Sequence, residues 1–205
     1  MIRIAIAKGR IAKETGPLLE SIGFTLEEVF NSRKLRFSNQ DRTYELILLK
    51  AADIPLYVKE GAVDIGIVGK DTVIESGHDV YELLELEMAF CQLCLAGPSD
   101  RKTLEGGIKV ATKYPNLAKK FLTEKNVNAD IITLSGSVEI APLIQLADVI
   151  VDLVQTGETL KENGLVIYES FLKIRPLVIA NPISYRTKSE AMTTFIKRCE
   201  RYKTL

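Results

Sequence analysis

Apolar positions along the chain switch repeatedly between a period of two and a period near 3.6. Residues 2 to 7, Ile-Arg-Ile-Ala-Ile-Ala, alternate apolar with polar or small side chains as a strand does, and they end in Lys8-Gly9-Arg10. Leu18, Leu19 and Ile22 then fall on one helical face, with a stop at Gly23. The runs Ser32 to Phe37 and Tyr44 to Lys50 flank Asn39-Gln40-Asp41-Arg42, which has the composition of a hairpin turn. Ala51 to Pro55 predicts a helix start with Asp53 as N-cap and Pro55 in the first turn. Val63 to Val68 is a buried-strand run interrupted by Gly66, a glycine that serves either a ligand's approach or packing. Gly69, Lys70 and Asp71 follow as a loop before helix-like Thr72 to Ser76.

The pattern then repeats. Ile108 to Thr112 and Ala129 to Leu134 read as strands, and Asn116 to Lys125 as a helix between them. After Gly136 a helix is expected with Ile140, Leu143, Ile144 and Ala147 inward, and residues 189 to 203 form a closing amphipathic helix. Two extended stretches, Glu87 to Gly97 and Phe171 to Asn181, read as crossings between lobes. The expected fold is therefore α/β, with parallel sheet on both sides of the crossings. Lobe I is 1–88 plus 178–205, and lobe II is 89–177.

Composition narrows the function classes. Lys plus Arg equals Asp plus Glu at 27 each, so no bulk field draws the chain to nucleic acid or to an anionic membrane, and any anion site is local. The N-terminal run is too short and too alternating for a signal peptide, and no apolar run reaches membrane-spanning length, which predicts a cytoplasmic protein. The spacing of Cys91 and Cys94 in a strand-like stretch turns the thiols to opposite faces, which favours buried packing over a redox or metal pair.

Candidate chemistry concentrates in Ala147-Asp148-Val149-Ile150-Val151-Asp152-Leu153-Val154, which runs into Gln155-Thr156-Gly157-Glu158-Thr159-Leu160. That is a strand, a tight loop and a helix start, where the first N–H groups have no internal partner and favour an anion. Gly157 allows close backbone approach, and Thr156 and Thr159 add hydroxyls. Positions 148, 150 and 152 share one strand face, so both carboxylates are expected on the side from which a phosphate arrives. A phosphorylated sugar needs that pairing of amides and carboxylate. Lys8 and Arg10 at the first strand's carboxyl end, Arg33 and Lys50 at later strand ends, and Lys113 before Tyr114 are placed either for phosphate or as solvated cations.

The acid followed by Thr156-Gly157-Glu158-Thr159-Leu160 resembles the ribose-5-phosphate loop of phosphoribosyltransferases. The longer string Leu134-Ser-Gly-Ser-Val-Glu-Ile-Ala-Pro142, with Leu146 to Leu160 and Asn163-Gly164-Leu165, is similar to one family in particular, ATP phosphoribosyltransferase, and the resemblance covers essentially the whole chain. It implies a periplasmic-binding-protein-like (type II) two-lobe fold with an interlobe cleft. It also implies transfer of a phosphoribosyl group from 5-phosphoribosyl 1-diphosphate to N1 of ATP, the first step of histidine biosynthesis. By that resemblance Arg10 and Arg33 are catalytic. Lys8, Lys50, Glu139, Asp152, Thr156, Gly157, Glu158, Thr159 and Leu160 bind the phosphoribosyl diphosphate, and Gly69, Asp71 and Lys113 are candidates for ATP.

Mg²⁺ is expected to reach the site on the substrate's diphosphate, with no protein metal cage. Where many relatives carry Arg on the second run, this chain has Leu48, so that contact is absent or replaced. No residues remain for the long form's C-terminal regulatory domain. The resemblance thus implies the short form, assembled as a hetero-octamer with a regulatory subunit resembling histidyl-tRNA synthetase. The competing readings are a two-lobe solute-binding or effector-sensing module, and a phosphoribosyltransferase for another base.

Overall fold

The strand periodicities are realised as two mixed sheets in a computed structural model that describes residues 1–100, 104 and 106–201. In chain order the elements are β1 (Ile2–Ala7), α1 (Arg10–Glu14), α2 (Gly16–Ser21), α3 (Leu26–Asn31), β2 (Arg36–Ser38), β3 (Tyr44–Leu49), α4 (Ile54–Lys59), β4 (Ile65–Gly69), α5 (Lys70–Ser76) and β5 (Tyr81–Glu85). There follow β6 (Cys91–Pro98), β7 (Ile108–Thr112), α6 (Pro115–Glu124), β8 (Ala129–Thr133), α7 (Ile140–Leu143), β9 (Val149–Val154) and α8 (Glu158–Glu162). The chain closes with β10 (Leu165–Ile174), β11 (Pro176–Ala180), α9 (Pro182–Thr187) and α10 (Ser189–Arg201). Positions 202 and 203 of the expected closing helix lie outside the described residues. No helix among those described is long and apolar enough to cross a membrane.

The chain divides into Met1–Ala89 with Arg175–Leu205, and Phe90–Ile174. The breaks fall at 89/90 and 174/175 rather than at 88/89 and 177/178, because β11 already pairs with β4 from its first residue, Pro176 opposite Gly69. In the first unit the order is β2-β3-β1-β4-β11-β5. Strand alternation sorts β1 into two layers. Ile2, Ile4 and Ile6 pack with Leu18, Leu19 and Phe195, while Ala5 and Ala7 pack with Ile54 and Val58 of α4. Each large buried side chain contributes about 1.5–3 kcal/mol by leaving water. A methyl group built at Gly66 would meet Ile54, Val58 and Ile179 within 3 Å, so this glycine serves packing.

The second unit has the order β10-β6-β9-β7-β8. Read from the other edge, β8-β7-β9-β6-β10 repeats β3-β1-β4-β11-β5 strand for strand, with the same parallel and antiparallel pairs. One detail repeats with it. Asp64 accepts from the Arg3 N–H at 2.8 Å and donates its own N–H to Arg3 O, and Asp148 does the same with Lys109 at 2.7 Å. Both aspartates therefore close a strand pair at its entry end. The carboxylate of Asp148 is spent there, at the opposite end of β9 from the loop it was expected to serve.

Three further expectations are corrected. The sheets are mixed, since β2 pairs antiparallel with β3 and β6, β10, β11 and β5 run antiparallel to their neighbours. Around α7 the inward residues are Val138, Ala141 and Ala147, whereas Ile140, Leu143 and Ile144 are exposed, because α7 is a single turn whose register a longer helix would have shifted. Asp53 does stand at the N-cap of α4 with Pro55 in the first turn, as expected, but it closes a 3-10 turn, Ala51–Asp53, and its side chain makes no capping hydrogen bond.

Candidate functional site

Parallel strands β7, β8 and β9 end side by side, and open α/β sheets bind ligands outside such carboxyl ends. Three predicted residues meet there in the second unit. Asp152 follows Ile150 on the face that carries α7 and α8, Lys113 follows Ala111 on the same face, and Glu139 stands at the start of α7. Their charges interact. Burial pushes the Asp152 carboxyl above its ordinary range and the negative Glu139 adds to that, while the Leu153 N–H, at 2.8 Å from Oδ1, and the positive Lys113 work the other way. Across the sheet Asp152 is paired with Cys94, a buried free thiol whose Sγ lies 3.2 Å from Ser170 Oγ.

The loop after β9 is built for an anion. Gly157, the N-cap of α8, has φ +80°, a left-handed conformation that side chains resist; Thr156 Oγ1 accepts from the Glu158 N–H at 3.4 Å, and the N–H groups of Thr159 and Leu160 follow at the loop. Thr156, Glu158 and Thr159 are exposed around it, and Leu160 is buried as the anchor of α8.

Cations gather in the first unit at the corresponding strand ends. Lys8 and Lys50 follow the adjacent parallel strands β1 and β3, the Lys8 N–H donating to Leu49 O at 2.9 Å. A cavity of about 420 Å³ is lined by Lys8, Lys13, Arg33 and Lys34 over an apolar floor that includes Val29, Phe30 and Leu48, and no carboxylate lines it. Lys34 pairs with Glu28 at 3.0 Å. Lys8, Lys13 and Arg33 have no ion pair among the described residues. Arg10 does not line this cavity; its Nη2 donates to Ala89 O at 3.0 Å and its Nε lies 3.8 Å from Glu14.

The three ATP candidates divide between the units. Lys113 belongs with Asp152 and Glu139, whereas Gly69 and Asp71 shape the β4–α5 turn. Asp71 is 4% exposed and folds back over the turn, so that a Cβ at Gly69 would lie 2.1 Å from its Oδ1. Sequence reasoning missed Lys13, for which only the spacing Gly9, Ala12, Lys13 on one helical face offered a signal. Among the described residues no group of three His, Cys, Asp or Glu side chains is assembled to hold a metal.

Comparison with known proteins places this geometry. The family model HisG, ATP phosphoribosyltransferase, matches residues 50–201. The chain is 47% identical over 201 residues to the ATP phosphoribosyltransferase of Lachnoclostridium phytofermentans, covering 95% of this chain and 94% of that one. It is 48% identical to the enzyme of the same name from Oceanobacillus iheyensis, covering 96% of each. Among solved structures it superposes with a TM-score of 0.87 and 33% identity on a chain of the ATP phosphoribosyl transferase (HisG:HisZ) complex from Thermotoga maritima, over 99% of this chain and 98% of that one. The periplasmic aliphatic sulphonate binding protein SsuA from Escherichia coli matches with a TM-score of 0.65 at 13% identity, over all of this chain and 72% of that one. That likeness shows a shared two-lobe α/β fold and carries no activity with it.

Proposed function

The chain belongs to the ATP phosphoribosyltransferase family, and from that premise we propose how its residues divide the work. The enzyme joins C1 of the ribose of 5-phosphoribosyl 1-diphosphate to N1 of the adenine of ATP, the first step of histidine biosynthesis. The C1–O bond to the diphosphate breaks, its electron pair leaves with pyrophosphate, and the N1 lone pair forms the new bond. Positive charge grows on the ribose as negative charge grows on the leaving group, so positioning and fixed charges suffice and no protein nucleophile is needed.

The N–H groups and hydroxyls of Thr156 to Leu160 hold the 5-phosphate. Asp152 and Glu139 accept from the ribose hydroxyls and favour the developing positive charge, with Lys113 opposing the rise that burial imposes on the Asp152 carboxyl. Lys8 and Arg33, supported by Arg10 and Lys50, neutralise diphosphate oxygens. The cavity's Lys and Arg lining offers no metal ligand, whereas Asp152 and Glu139 are a carboxylate pair of the kind that receives a hydrated Mg²⁺ carried on a substrate diphosphate. When bound, Mg²⁺ supplies charge neutralisation at the leaving diphosphate. By likeness to the Thermotoga complex the chain works with a second, regulatory subunit of the HisZ kind.

The observation that carries this reading is the loop after β9, with its left-handed Gly157 and the start of α8 beside two carboxylates. Incubation of the chain with ATP, phosphoribosyl diphosphate and Mg²⁺, with and without the second subunit, should yield the N1-substituted nucleotide. Its absence from both arms overturns the reading.

A further inference from the structure

The cavity beside β1 holds one cation that the division of work above leaves idle. Gly9, Ala12 and Lys13 line it at the i, i+3, i+4 spacing of one helical face, so the backbone of α1 itself presents Lys13 to the cavity that Lys8 and Arg33 enter. Lys34 is already answered by Glu28 at 3.0 Å, and Lys13, like Lys8 and Arg33, has no ion pair among the described residues. Of the lining, β3 contributes only the apolar Leu48 and α1 contributes Lys13. Three unanswered cations over an apolar floor repel one another while the cavity is empty. The ligand that relieves this carries at least two adjacent negative charges and several acceptor oxygens, which is the chemistry of an oligophosphate.

We propose that Lys13 is a substrate-binding residue that acts with Lys8 and Arg33 to hold a di- or triphosphate in this cavity. The assignment rests on the reaction described above, both of whose substrates carry such a group, and it adds a contact on α1 where β3 offers none. An ammonium on a flexible stem suits the task, because it follows phosphate oxygens without demanding one fixed orientation.

The test is titration of the folded chain with inorganic pyrophosphate, by calorimetry, for wild type, Lys13→Met, Lys13→Arg, Lys13→Glu and the exposed control Lys197→Met on α10. Lys13→Met should weaken pyrophosphate binding about tenfold, the equivalent of ~1.4 kcal/mol. Lys13→Glu should weaken it further, Lys13→Arg should stay within about twofold of wild type, and Lys197→Met should not differ. Wild-type affinity in Lys13→Met, or no pyrophosphate binding by the wild type, overturns the proposal. In the complete enzyme with its second subunit, Lys13→Met should raise the KM for whichever substrate places its phosphates here, and an unchanged KM for both also overturns it. Absence of any transferase activity would instead defeat the reading of the reaction, and the pyrophosphate titration would still decide the role of Lys13.

Discussion

Lys188 Nζ stands 2.9 Å from each carboxylate oxygen of Asp64, and the pair fastens the closing helices to the start of β4. Asp64 also accepts from Ser184 Oγ at 2.6 Å and from the Arg3 N–H at 2.8 Å. Burial pushes its carboxyl up, but the hydrogen bonds from Arg3, Ser184 and Lys188, with the charge of Lys188, outweigh burial and hold it below the ordinary 3.8. A depressed folded-state value means stability that is complete above the unfolded value and is lost as pH falls through the folded one. Asp64→Ala leaves the Ser184 hydroxyl and the Arg3 N–H without an acceptor, at a cost of about 1–3 kcal/mol. The melting temperature should drop by about 2–4 °C for each of those kcal/mol. The acid limb below pH 4 should flatten in Asp64→Asn; the same slope in wild type and variant would remove Asp64 from acid unfolding.

Arg33 and Arg10, paired as catalytic by resemblance, have different surroundings in the structure. Arg33 lines the cation cavity, whereas Arg10 braces the chain at Ala89 before it leaves the first unit. Arg33→Ala should lower kcat by about 10²–10³, the range for loss of one charge-stabilising donor, with little change in melting temperature. Arg10→Ala should lower melting temperature together with activity. Parallel kinetics and thermal scans of the two variants decide the matter, and equal thermal losses would make Arg33 structural.

Much of the frame was legible because the strands are β-branched runs of period two, and β7 spans the same residues, Ile108–Thr112, that the pattern marked. The helix α3 went unread, since Leu26–Asn31 is less than two turns and lacks a stop signal. The single helical pattern after β1 is two helices, because Thr15 returns its hydroxyl to Ile11 O and Ala12 O and Pro17 has no N–H to continue the ladder. Asp148 and Asp152 share a strand face by period, yet depth along the strand, which periodicity does not report, gives one to a backbone N–H and the other to the ligand end. The cation cavity was illegible for a similar reason: residues 8–13, 29–35 and 48 are joined only by tertiary packing.

Gly157 holds φ +80° at the entrance to α8, and a Cβ there meets nothing closer than 3.8 Å. Space is therefore not the obstacle; conformation is. Gly157→Ala should cost about 1–2 kcal/mol if the turn is kept, and Gly157→Val should shift the turn itself and draw the N–H groups of Thr159 and Leu160 away from the phosphate. The expected signature is a raised KM for phosphoribosyl diphosphate with a smaller loss of thermal stability. Full turnover in Gly157→Val would count against the loop as the phosphate cradle.

Asp152 gives the reaction a pH limb whose direction can be worked out. Burial and the neighbouring Glu139 raise its carboxyl above 3.8, so on acidification Asp152 takes up a proton sooner than an ordinary aspartate and stops accepting from ribose hydroxyls. Activity should then fall on the acid side with a midpoint above 3.8. Glu139→Gln removes a like charge, favours the ionised form and should move the limb to lower pH. Lys113→Met removes the opposing charge and should move it to higher pH. The opposite displacement of the two variants is the diagnostic quantity. A pH profile of kcat/KM for phosphoribosyl diphosphate in wild type and both variants measures it. Displacement of both limbs in the same direction would show that the group titrating there is not Asp152.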